Sequence, residues 1–149
     1  MDGDLQHKPK YIPKMLIVYQ KHNCDFVIGV RNLIKNRVKS LSFFRQSASF
    51  IIIKFFEIFF GKRTIDPMSG FFLFKKKIYL KNKKKLFNRG YKILLDLIYS
   101  SKKKLKILDV DIDFRSRSEG SSKMSFKVIY FLVFMIFQKL RFRILTIFN

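Results

Sequence analysis

Tryptophan is absent and cysteine occurs once, at Cys24, which excludes an internal disulfide and a cysteine-rich zinc site. A single thiol fits a reducing cytosolic setting. Only two histidines are present, His7 and His22, and neither has a second His or Cys at ligand spacing, so neither is assigned to a metal. Acids are scarce as well: ten Asp and Glu stand against 32 Lys and Arg, a formal charge of +22. A field of that sign attracts polyanions, whether nucleic acid, an anionic membrane surface or phosphate-bearing small molecules. The lysines fall in short runs (75–77, 83–85, 102–104) between apolar stretches, with no single stripe, which argues against a nucleic-acid reader. A proteome-wide drift towards Lys, Phe, Ile and Asn would also raise the charge without any selected partner. The first ten residues are polar and charged and are not expected to act as a signal peptide. Long uninterrupted apolar runs are missing too. Val128 to Phe137 supplies ten such residues, too few to cross a hydrocarbon core about 30 Å thick.

What is present suffices for one domain: 149 residues, 48% of them hydrophobic, argue for a packed core and against disorder. Pro9 to His22 reads as a helix, with a proline suited to its first turn and Ile12, Met15, Leu16 and Tyr19 at helical spacing. Asp25 to Val30 is a short β-branched apolar run, predicted to be a buried strand with Arg31 at its C-terminal end. Arg31 to Ser42 reads as a surface loop. Phe43 to Phe60 is a strongly apolar helix stopped by Gly61, and Arg45 and Ser49 share one of its faces. Thr64 to Gly70 is turn chemistry, followed by strand-like Phe71 to Phe74. Gly90 to Ser101 has helical spacing, Leu105 to Phe114 alternates as a half-buried strand, and Arg115 to Met124 is a loop. The tail from Phe126 reads as an amphipathic helix lying in a membrane interface, with Lys139, Arg141 and Arg143 reaching towards headgroups. Packing of that helix on the core is the other reading.

Two carboxylates, Asp2 and Asp4, stand one residue apart with Gln6 two further on. In extended backbone such a pair points to one side and with a diphosphate can hold one hard divalent cation. The plainer reading is a pair of solvated acids at a frayed terminus. Alternating helices and strands predict an α/β domain, where ligands gather at the carboxyl ends of strands.

Taken together, the motifs resemble the polyprenol-phosphate (dolichol-phosphate) mannosyltransferases, GT-A-fold glycosyltransferases of family 2. Asp2-Gly3-Asp4-Leu5-Gln6-His7 with Pro9 is similar to the family's metal motif and its continuation. Ile28-Gly29-Val30-Arg31 resembles the next strand and its terminal arginine. Asp66-Pro67-Met68-Ser69-Gly70-Phe71 is the most diagnostic string, and its form favours the mannosyl branch. Gly90 to Asp96 adds to it, and Arg117-x-x-Gly120-x-Ser122-Lys123 resembles the loop before the C-terminal helix. Two departures matter: Lys8 stands where the family has proline, and the family's first strands and base pocket have no counterpart before Met1. The resemblance therefore implies an α/β, Rossmann-like GT-A domain lacking its first strands over residues 1–124, and a C-terminal amphipathic helix over 125–149.

The activity implied is metal-dependent, inverting transfer of mannose from GDP-mannose to a dolichyl or undecaprenyl phosphate at the cytoplasmic face of a membrane. Asp2, Asp4 and Gln6 would hold Mg²⁺ or Mn²⁺. Arg31, Arg45 and Ser49 would receive the acceptor phosphate, and Arg117, Ser122 and Lys123 would close over the donor, with Asp4, Arg31 and Arg45 closest to the chemistry. Without its first strands the chain is expected to be inactive and poorly soluble alone; a split reading frame with a separate chain supplying the remainder, a truncated frame and a late start codon are the alternatives the resemblance leaves open. No nucleic-acid partner is expected. Asp66 is equally well read as a turn starter before proline or as a site residue. The alternative in a different class is a non-enzymatic basic protein that sits on anionic membranes or nucleic acid through charge alone, with binding that falls steeply with salt.

Overall fold

The computed structural model describes residues 7–31, 43–89, 92–101, 104–113 and 126–145. A 3-10 turn, Pro9–Tyr11, leads into α1 (Ile12–His22), which keeps proline in its first turn. Asn23 closes α1 in the left-handed region at φ 44, a conformation Asn tolerates better than most residues. β1 (Phe26–Arg31) follows, then α2 (Phe43–Phe60), β2 (Phe72–Phe74), α3 (Lys76–Asn82), α4 (Ile93–Ser100), β3 (Ile107–Ile112) and α5 (Phe126–Leu145). α2 ends where Gly61 takes φ +79 and donates its N–H to the Glu57 carbonyl, the stop anticipated from the glycine.

The three strands form one mixed sheet in the order β2-β1-β3. β1 lies parallel to β3, from Phe26 opposite Ile107 to Arg31 opposite Ile112, and antiparallel to β2. As the central strand β1 is buried on both faces, which is why it reads as an unbroken apolar run instead of an alternation. Phe26, Ile28 and Val30 enter the larger core, with Phe56 of α2, Leu94, Leu95 and Ile98 of α4, and Leu132, Met135 and Ile136 of α5. Val27 faces the opposite way, into a smaller core with Met15 of α1, Cys24, Phe71, Val110 and Ile112. The expected mixed α/β class is thus observed, with helices covering both faces of the sheet.

Sequence reading missed two features. α3 lies between lysine runs that read as charge, yet it buries Ile78, and its Asn82 donates from Nδ2 to the Ile78 carbonyl at 2.9 Å. The second concerns α5, whose inward stripe of Leu132, Met135 and Ile136 packs in the larger core while Tyr130, Val133, Phe134 and Phe137 face outward. The core-packing reading of this helix therefore holds for its inward face, and the outward face leaves apolar side chains exposed. Lys139 requires a correction: it does not reach outward but is 4% exposed, against Asp96 of α4. No helix among the described residues is long and apolar enough to cross a membrane.

Candidate functional site

The parallel pair β1 and β3 ends at Arg31 and Ile112, side by side, and the segment from Arg63 to Phe71 runs from α4 past Asp109 in β3 to Gly29 in the last half of β1. It is fastened residue by residue. Arg63 donates to the Ile98 carbonyl at 3.0 Å and lies over the Tyr99 ring. Asp109 of β3 accepts from the Thr64 hydroxyl at 2.6 Å and from the Ile65 N–H at 2.9 Å. Buried Asp66 accepts from the Met68 N–H at 3.2 Å, and its carbonyl accepts from the Ser69 N–H, the turn that Asp before Pro is suited to make. The Ser69 hydroxyl then donates to the Gly29 carbonyl at 2.7 Å and accepts from the Phe71 N–H at 3.1 Å.

Gly29 is required by this crossing. A Cβ there would lie 2.9 Å from the Phe71 ring, 3.0 Å from Ile112 Cδ1 and 3.2 Å from the Phe71 carbonyl oxygen. The close backbone approach also lets the Gly29 N–H reach that carbonyl at 2.8 Å.

The residues that follow the acidic motif arrive at the same place. His7 is buried with its ring 5.1 Å from that of Phe71. Tyr11 donates its hydroxyl to Asp113 Oδ2 at 2.6 Å and accepts from the Asp113 N–H at 3.2 Å, just past the end of β3. Its side-chain bond to Asp113 is the main cause that raises the phenol above its ordinary value. Lys8 lies 4.0 Å from the same carboxylate. Sequence reading found neither this anchor nor Asp109. The signal for Asp109 was an acid at a strand position whose neighbours 107 and 108 are apolar.

Of the residues assigned from sequence, Arg31 closes β1, and Arg45 and Ser49 lie one turn apart in α2, while their side chains lie outside what is described. Asp2, Asp4, Gln6, Arg117, Ser122 and Lys123 also lie outside the described residues. Among the described residues, no group of three or more His, Cys, Asp or Glu could hold a metal. What the described backbone brings together is the arm after the acidic motif, the end of β1, the 63–71 segment and Asp113 just past β3.

No protein-family model matches the chain. Curated relatives do. The dolichol-phosphate mannosyltransferase of Pyrococcus furiosus is 36% identical over 132 residues, covering 87% of this chain and 36% of that protein. Its namesake from Saccharomyces cerevisiae is 34% identical over 87% of this chain and 49% of its own length. The one from Mycosarcoma maydis is 29% identical across 99% of this chain and 50% of its own. This chain thus spans half or less of the curated relatives named here, and over most of its own length it is similar in sequence to a part of the dolichol-phosphate mannosyltransferases.

Proposed function

We propose that this chain is part of a metal-dependent, inverting glycosyltransferase that moves mannose from GDP-mannose to a polyprenyl phosphate at the cytoplasmic face of a membrane. The convergence of three motif-bearing segments, the arm from His7 to Tyr11, β1 and the 63–71 segment, towards the carboxyl ends of β1 and β3 carries the reading, because that is where open α/β sheets take ligands. The relatives' name supplies the reaction class.

A phosphate monoester has a second pKa near 6, so the attacking lipid phosphate is already anionic and needs no base. The task is to hold two anions together. Arg31 and Arg45, with Ser49, would receive the acceptor phosphate, since a guanidinium meets phosphate with two parallel hydrogen bonds. Arg117, Ser122 and Lys123 would fold over the donor once it is bound. Asp2, Asp4 and Gln6 form an all-oxygen donor set, which fits Mg²⁺ or Mn²⁺. When bound, such a cation neutralises charge on the departing diphosphate. The fixed 63–71 segment would give this site a rigid wall. Outward apolar side chains on α2 (Ile51, Phe55, Ile58) and α5 (Tyr130, Phe134, Phe137) support seating on the lipid surface that holds the acceptor.

The decisive assay fuses this chain to the part of the Pyrococcus furiosus relative that precedes the matched stretch. Transfer of labelled mannose from GDP-mannose to dolichyl phosphate is then measured in liposomes with Mn²⁺. Asp4→Ala and Arg31→Ala are expected to lower transfer at least about a hundredfold. Undiminished transfer by Asp4→Ala overturns the metal assignment. Lipid binding that ignores GDP-mannose and Mn²⁺ and collapses with salt, with no transfer by the fusion, favours the non-enzymatic reading.

A further inference from the structure

α5 is apolar on both its sides. Inward it presents Leu132, Met135, Ile136 and Leu140, and outward Tyr130, Val133, Phe134 and Phe137, with Tyr130 64% and Phe137 65% exposed. Burial of apolar area is non-directional, so it discriminates poorly between these two stripes, and either could satisfy the core. Lys139 breaks the tie. It is the one charged residue in the inward stripe from Leu132 to Leu140. Its Nζ lies 2.5 Å from Asp96 Oδ1, donates to the Ser100 hydroxyl at 2.5 Å and to the Lys85 carbonyl at 2.8 Å. The acceptor was prepared independently of α5: Asp96 Oδ2 also takes the Phe87 N–H at 2.7 Å and the Asn88 N–H at 3.2 Å, with Asn88 held at φ 54.

We infer that the Lys139–Asp96 pair is a positioning device that fixes the rotation of α5 and thereby selects which of its two apolar stripes the protein presents outward. A buried ion pair is weak as a source of stability, but it tolerates few alternative geometries, which is its best attested use. Turning α5 by half a revolution would place the ammonium in solvent and take from the Lys85 carbonyl and Asp96 the contacts that Lys139 supplies. The inference does not depend on the proposed reaction.

The test uses the full chain and thiol labelling. Phe137→Cys on the outward stripe and Met135→Cys on the inward one are compared by maleimide reaction rate, with Cys24, wholly buried in the other core, as an internal report that the domain is folded. In the parent, Phe137→Cys is expected to react at least about a hundredfold faster than Met135→Cys, the protection a folded interior gives a thiol. Adding Lys139→Leu is expected to shrink that ratio at least about tenfold while Cys24 stays unlabelled. Asp96 keeps the Phe87 and Asn88 amides and Ser100 in this variant, so α4 is retained. Should Lys139→Leu not fold, Asp96→Asn carries the same comparison, because its amide oxygen still accepts from Phe87 and Asn88 while the countercharge is gone. An unchanged ratio overturns the inference. So does a ratio that falls only when Cys24 becomes reactive, since the pair would then be a general stability contact.

Discussion

At the scale of single residues, the buried polar groups hold the testable chemistry. Burial lowers the Lys139 ammonium from its ordinary 10.5, opposed by the hydrogen bond and charge of Asp96. Between the folded value and 10.5 the unfolded chain binds the extra proton, so this group makes stability rise with pH across that window, and below the folded value its contribution no longer changes with pH. Tyr99, raised mainly by burial, contributes the opposite slope. The difference between parent and Lys139→Leu in urea titrations at pH 8 to 10.5 should therefore isolate the lysine, and identical slopes would contradict the lowering of its ammonium by burial. Ser69→Ala leaves the Gly29 carbonyl unsatisfied and should cost about 1–3 kcal/mol in the same titration. A loss within error would show that water replaces the hydroxyl. Little of this was legible beforehand. A lysine near a helix end reads as solvent-facing, and the clue lay elsewhere, in Asp96 standing alone among the apolar residues 93–98 of α4.

Whole elements were more legible, because their signals are periodic. β1 announced itself as a β-branched apolar run, α2 by its length and its stopping glycine, and β3 by near-alternation. α3 was missed since four of its seven residues are Lys or Asn, and its place is set by one buried isoleucine and by Lys75. That lysine precedes the helix and bonds Asn23 Oδ1 at 2.8 Å and Asp25 at 3.4 Å. The antiparallel direction of β2 was equally hidden, being decided by the distant crossing at Gly29. That crossing is itself predictive. Gly29→Ala must push Phe71 and Ile112 apart and should cost about 1–3 kcal/mol, as overpacking does. A neutral result by thermal melting would mean that the 63–71 segment yields more easily than its hydrogen bonds suggest. The similarity to dolichol-phosphate mannosyltransferases was legible from motif order, whereas the site's side chains were placed by resemblance and not by the described structure.

For the molecule as a whole, charge and shape act together. A chain of +22 that leaves Ile58 76% exposed on α2 and Phe137 65% exposed on α5 should bind anionic bilayers by both means. Co-sedimentation with phosphatidylglycerol vesicles is expected to fall steeply between about 0.05 and 0.5 M salt, where screening shortens to a few ångströms. Phe137→Asp with Ile58→Asp should weaken it further at fixed salt. Equal binding to neutral phosphatidylcholine vesicles would remove the electrostatic part of the idea. A different consequence follows from β1, whose side chains feed both cores at once while its backbone is bonded to strands on either side. Neither helical layer can detach without uncovering this strand, so the amides of residues 27–30 should be the last to take up deuterium, at a rate set by complete unfolding of the domain.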